Sequence, residues 1–163
     1  MKQIKVQPLT RDEFAPFGEF YTMTSPDGYP LCGAIHKFYP DRLTTTCQGR
    51  LAFSPLVVRK PEKMIITQQE YHTTTEEILM PLDDDMILHV APASGGAIVT
   101  EYAKVFLVPK NTVVKMKAAI WHLAPLPANN DTITTMVVLP ECTYCNDCTV
   151  VDLPEDKQFE IVK

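Results

Sequence analysis

The sequence predicts an all-β fold, a sandwich or a closed barrel of short strands with one or two short helices. Three observations carry this. Fourteen prolines stand against six glycines in 163 residues. Proline is poor inside helices and central strands, so its spread marks strand ends and leaves little room for long helices. Short runs rich in Ile, Val, Leu, Thr and aromatics recur at close spacing, separated by the turn-prone clusters PEK, DDD, ASGG, PKN and ANND.

In chain order, IKVQ is the first β-type run, and TRDEFAPFG reads as one capped helical turn with Thr10 as N-cap and Glu13 three residues on. The runs LAFSPLVV (51–58), MIITQQEYH (64–72), EEILMPL (76–82), DMILHVA (85–91), AKVFLVP (103–109), TVVKMK (112–117) and TITTMVVL (132–139) follow as strands. No repeat, low-complexity tract or linker divides the chain, so residues 1–163 read as a single domain.

A 45% hydrophobic, 21% charged composition is that of a soluble globular protein long enough to bury a core. A net charge of −5 and a pI near 5.3 argue against nucleic acid or an anionic membrane as partner. No apolar leader is visible in MKQIKVQPLTRDEF, and no apolar run is long enough to span a bilayer, so the expected location is cytoplasmic. The five cysteines are then expected to be reduced thiols. Three of them form C-x2-C-x2-C in ECTYCNDC (141–148). Structural zinc and iron–sulfur sites want four ligands, and Cys32 and Cys47 lie far upstream, so free thiols in a C-terminal turn are expected.

Histidine is scarce, with only His36, His72, His89 and His122. In QQEYHTTTEEILMPLDDD, Glu70 and His72 are two apart and share one face of an extended strand, and Glu77 opens the next run. The stretch reads E-x-H-x4-E, with His122 further along in KMKAAIWHLAP. Imidazole and carboxylates converging inside a barrel suit one divalent metal of the Mn, Fe, Ni or Zn type. His89, between apolar neighbours, reads as a core or interface histidine, and His36 as a loop residue. Trp121 either lines a pocket or fills the core. Asp83, Asp84 and Asp85 read as a solvated turn.

The E-x-H-x4-E pattern with its later His resembles the metal motifs of the cupin superfamily, with Glu70 standing where a first His is usual. Longer stretches resemble one family within it, the ureidoglycolate lyases. VQPLTRDEFAPFGEF is similar to their opening, QEYHTTTEEILMPLDDD to their L-E-R-H segment, and HVAPAS to V-V-A-x-G. KMKAAIWHLAPL is similar to their W-H-x-P run and NDCTVVDLP to their closing N-C-x-V segment. The resemblance spans Val6 to Pro154. It departs at Glu77 (usually Gln), at Tyr71 (usually Arg) and at Leu123-Ala124, one residue longer than usual.

The resemblance implies a cupin-like small β-barrel (a double-stranded β-helix of jelly-roll type), a homodimer, and a small carboxylic acid as substrate. It implies cleavage of ureidoglycolate to glyoxylate and urea, a step of allantoin catabolism and purine degradation. Glu70, His72, Lys117 and His122 become the candidate catalytic residues, Arg59 and Trp121 the candidate substrate-binding residues. Glu70, His72, Glu77 and His122 are the candidate metal ligands. Lys117 lies an odd number of residues before His122, so a turn at Ala118-Ala119 is needed to bring the two together. The departures leave open a metal-dependent isomerase or epimerase of a small sugar or acid, or a non-catalytic small-acid-binding barrel.

Overall fold

A computed structural model describes residues 1–47 and 49–163. Its strands are β1 (Lys2–Pro8), β2 (Gly18–Thr22), β3 (Leu31–Cys32), β4 (Lys37–Phe38), β5 (Leu51–Arg59), β6 (Ile65–Ile66), β7 (Gln68–Tyr71) and β8 (Glu77–Pro81). They continue as β9 (Met86–Val90), β10 (Lys104–Val108), β11 (Thr112–Met116), β12 (Leu126–Pro127), β13 (Thr132–Pro140), β14 (Thr149–Asp152) and β15 (Phe159–Val162). Two single-turn α-helices accompany them, α1 (Arg11–Phe14) and α2 (Thr143–Asn146), with 3-10 turns at Thr100–Tyr102 and Glu155–Lys157. The all-β reading with one or two short helices is met. Thr10 caps α1 by accepting from the Glu13 N–H at 3.4 Å.

One sheet runs β12-β9-β10-β1-β15-β6 and the other β2-β11-β8-β13-β5. A first core fills the space between them, with Leu88, Val90, Phe106 and Val108 from one side and Leu79, Val114, Met116, Ile133 and Val137 from the other. Phe14 of α1 plugs one end of it, its ring 5.3 Å from that of Phe106. A second core lies on the far face of the first sheet, built from Ile87, Val105, Trp121, Phe159 and Ile161. Thus β9 is buried on both faces, as its nearly unbroken apolar run MILHV requires.

Two readings differ from the sequence. MIITQQEYH divides at Thr67 into β6, which pairs β15, and β7, which pairs β14. The partners belong to separate sheets, and the Leu153 N–H takes the Thr67 carbonyl at the break. The acidic run is no solvated turn throughout, because Asp84 is buried. Its carboxylate accepts from the backbone N–H groups of Asn129 and Asn130 and from the Asn129 amide, at 2.8–2.9 Å. These donors lie in the loop before β13, whose backbone needs acceptors that no strand supplies. All five cysteines are free, and Cys142 and Cys145 are exposed.

Candidate functional site

The segment carrying His122 stitches two strands together. The Glu70 and His122 backbones exchange hydrogen bonds of 2.7 and 2.9 Å, while Ala91 and Trp121 pair on the other side. Residues directly opposite in such a pair project to the same face. Glu70, His72 and His122 therefore converge, while Tyr71 and Trp121 turn to the second core, where their rings meet at 4.5 Å. Trp121 is a core residue whose Nε1 donates to the Ser94 hydroxyl. Glu77, the first residue of β8, enters between the histidines.

A single carboxylate oxygen of Glu77 lies 3.2 Å from His72 Nε2 and 2.7 Å from His122 Nε2. Both imidazoles and Glu77 are buried. The other ring nitrogens are already committed. His72 Nδ1 lies 2.7 Å from the Asp147 carbonyl and His122 Nδ1 2.9 Å from the Ile120 carbonyl. A carbonyl only accepts, so each Nδ1 carries the proton and each neutral ring would present an Nε2 lone pair to the same anionic oxygen. That arrangement is repulsive unless positive charge sits between them.

A proton on either ring supplies such charge. Burial opposes charging of both histidines, but the charge and hydrogen bonding of Glu77 outweigh it and raise both pKa values above the ordinary 6.5. Burial likewise pushes Glu77 upward, yet His122 and His72 hold it at about 2. The neighbouring donors Glu70, His72 and His122 could also hold a divalent cation. Glu70, His72 and His122 each offer one donor atom within 4.8 Å of one another. Two imidazole nitrogens with carboxylate oxygen form a donor set that first-row divalent metals accept. Glu70, His72 and His122, with Glu77 against both rings, would hold the ion.

A cavity of about 300 Å³ opens on this cluster, lined by Glu70, Glu77 and His122 with Leu56, Leu79 and Tyr144 among its walls. A larger hollow of about 540 Å³ beside Thr74, Thr75 and Asp147 has none of the site histidines in its lining.

Two expected residues are not brought here. Lys117 is exposed, and its Nζ donates to the Ala15 carbonyl at 2.6 Å. The turn at Ala118-Ala119 does form, with Ala119 at φ 65°, but it carries Lys117 outward. Arg59 is exposed at the end of β5, opposite Thr132, and does not line the cavity. His89 points into the second core with neither ring nitrogen bonded, and burial, aided by the nearby His122 charge, lowers it to about 3.

Three residues of the site come from the cysteine-rich stretch, for reasons its cysteine spacing does not reveal. Tyr144 lines the cavity with its ring 6.2 Å from that of His72. Burial and the two glutamates raise its phenol pKa, so it stays neutral. Cys148 approaches Glu70 at 3.5 Å, and burial, then the Glu70 charge, push its thiol up to about 11. The Asp147 carbonyl accepts from His72 Nδ1. No spacing signal links these residues to β7, and only the resemblance of NDCTVVDLP drew attention to part of the segment.

Residues 60–159 match the family described as a domain of unknown function (DUF4867). The chain is 27% identical to a ureidoglycolate lyase of Azotobacter vinelandii over 75% of its length and 76% of that protein. It is 30% identical to a ureidoglycolate lyase of Mesorhizobium japonicum over 80% of its length and 83% of that protein. Among solved structures it aligns with a dTDP sugar isomerase of Desulfovibrio desulfuricans over 86% of this chain and 83% of that one, at 8% identity and a TM-score of 0.49. With sequence likeness extending over four-fifths of the chain, this protein belongs to the ureidoglycolate lyase family and carries the DUF4867 domain.

Proposed function

We propose that this protein cleaves ureidoglycolate, or a close 2-hydroxy ureido acid, to glyoxylate and urea. The observation that carries the reading is the pair of imidazoles fixed on one Glu77 oxygen, with Glu77 and His122 in the wall of a small cavity. Ureidoglycolate is a carbinolamine. Removing its hydroxyl proton lets the O–H electrons form the aldehyde C=O while the C–N bond breaks, and a proton on the departing nitrogen completes urea.

Glu70, at the cavity edge, takes the hydroxyl proton. The His122 imidazolium, stabilised by Glu77, returns one to the nitrogen, and His72 shares that charge. No Arg or Lys lines the cavity among the described residues. Among the described residues the His122 imidazolium is the positive group in the lining, so it faces the substrate carboxylate in place of the expected arginine, beside the charges of Glu70 and Glu77. A divalent cation held by Glu70, His72 and His122 would add Lewis acidity and a further positive charge for a 2-hydroxy acid. The apolar walls Leu56 and Leu79 exclude water from the aldehyde as it forms.

The same reading includes a homodimer in the cytoplasm. The edge strand β5 leaves Phe53 and Val57 about two-thirds exposed, which gives a second copy an apolar surface.

Urea and glyoxylate release from racemic ureidoglycolate, with and without chelator, tests the activity. The wild type is expected to release both products, and His72→Ala and His122→Ala are each expected to lose about 100-fold or more. Absence of product, with stoichiometric metal that is lost in His72→Ala, would instead favour a metal-dependent isomerase or epimerase. The convergent donors of Glu70, His72 and His122 are the feature that supports this second reading.

A further inference from the structure

His72 is oriented by an atom that none of the site's own strands provides. The acceptor for its Nδ1 is the main-chain oxygen of Asp147, 75 positions along the chain. A main-chain oxygen is only as well placed as the loop that carries it, and here the same residue's side chain fixes that loop. One Asp147 carboxylate oxygen accepts from the Thr73 N–H at 2.7 Å. The other accepts from the Thr74 N–H at 2.9 Å and from the Thr74 and Thr75 hydroxyls at 2.8 Å. Those threonines directly follow His72. The Asp147 N–H in turn donates to the Thr143 carbonyl at 2.8 Å, which ties the residue to α2.

The result is a closed loop of bonds around one imidazole. The carbonyl holds the ring, the carboxylate holds the turn after the ring, and the His72 carbonyl accepts from the Ala119 N–H at 2.6 Å. A carboxylate with four donors is fully committed, and Asp147 stays ionised with its pKa at about 2 although burial works against it. Its charge does not enter the cavity, whose lining does not include it.

We propose that Asp147 is a positioning residue for His72. It fixes the ring in its Nδ1–H tautomer and so presents Nε2 to Glu77 and to the donor cluster. An imidazole whose acceptor wanders is free to change tautomer or rotate, and the orienting partner of a metal-ligating histidine typically contributes 10- to 100-fold to metal affinity. The inference rests on the reading of the His–Glu cluster as the reactive site, but its test does not depend on turnover.

Asp147→Ala, Asp147→Asn and the double variant Thr74→Val/Thr75→Val are compared with the wild type in metal-free protein. Side-chain ¹⁵N spectra of His72 are recorded at a pH where the ring is neutral, and Mn²⁺ and Zn²⁺ affinities are measured by calorimetry. Amide spectra establish that each variant is folded. Asp147→Ala is expected to show a mixed His72 tautomer, Mn²⁺ and Zn²⁺ affinities about 10- to 100-fold weaker, and kcat lowered more than KM is raised. Asp147→Asn, which keeps one acceptor oxygen, recovers part of the loss.

A folded Asp147→Ala protein that keeps the Nδ1–H tautomer and wild-type affinity for both ions overturns the proposal. If that variant does not fold, an unchanged His72 tautomer in the double threonine variant overturns it instead. Should the wild type release no urea while Asp147→Ala still mixes the tautomers, the positioning role stands and the lyase reading falls.

Discussion

Glu77 decides the charge of the site, because one of its oxygens faces both buried imidazoles. His89 indicates what burial does without such a partner, since it is lowered to about 3, with the His122 charge contributing. In Glu77→Gln the amide can donate to an Nε2 lone pair, so neutral rings become acceptable and charged ones lose their counterion. His72 and His122 are then expected to titrate below 6.5 instead of above it, which NMR titration of the metal-free protein will show. Rings still titrating above 6.5 would remove Glu77 from this role.

The same shifts set the pH dependence of folding in the metal-free protein. The raised imidazoles stabilise the fold fully below 6.5, and that stability is lost as pH rises through their folded values. Glu77, depressed from 4.5 to about 2, stabilises above 4.5 and loses its effect as pH falls toward 2. Denaturant midpoints should therefore fall on both sides of the interval from 4.5 to 6.5. Glu77→Gln should remove the alkaline limb, while its depressed imidazoles make stability fall as pH drops below 6.5.

Among the elements, the β8–β9 turn contributes through an acid that the sequence reads as part of a solvated turn. Asp84 ties this turn to the loop before β13 by three hydrogen bonds from Asn129 and Asn130. Its pKa is lowered because those donors outweigh burial. Asp84→Ala leaves these donors without their acceptor and is expected to cost about 3 kcal/mol, readable by urea unfolding. A loss below about 0.5 kcal/mol would mean that water replaces the carboxylate at no cost.

Most of the longer strands were legible, because alternation and proline punctuation report backbone conformation locally, but β2, β14 and β15 were not read. Glu70 and His72 were legible as a pair for the same reason, being two apart on and just beyond β7. What could not be read is which distant segment lies opposite. Arg59 and Lys117 have the right chemistry, and only the pairing of β5 with β13 and the outward turn at Ala119 exclude them from the cavity. Asp147 and Tyr144 enter by a tertiary contact of a single-turn helix, which leaves no periodic trace in sequence.

At the scale of the whole molecule, β5 is an edge nine residues long, with Phe53 and Val57 on its outward face. Sedimentation at micromolar concentration is expected to give a dimer for the wild type and a monomer for Phe53→Glu/Val57→Glu. A monomeric wild type, or a double variant that still dimerises, would place the interface elsewhere or nowhere.

The first sheet has β1 at its middle, parallel to β10 on one side and to β15 on the other, with Lys2 opposite Phe159. Neighbours so far apart in sequence must meet before their hydrogen bonds can stabilise anything, and closing so large a loop is slow. During synthesis β1 therefore waits with one side unpaired until β15 has been made. In that interval it is an open template for another strand, so the nascent chain is most vulnerable to mispairing long after His72 and His122 have been translated.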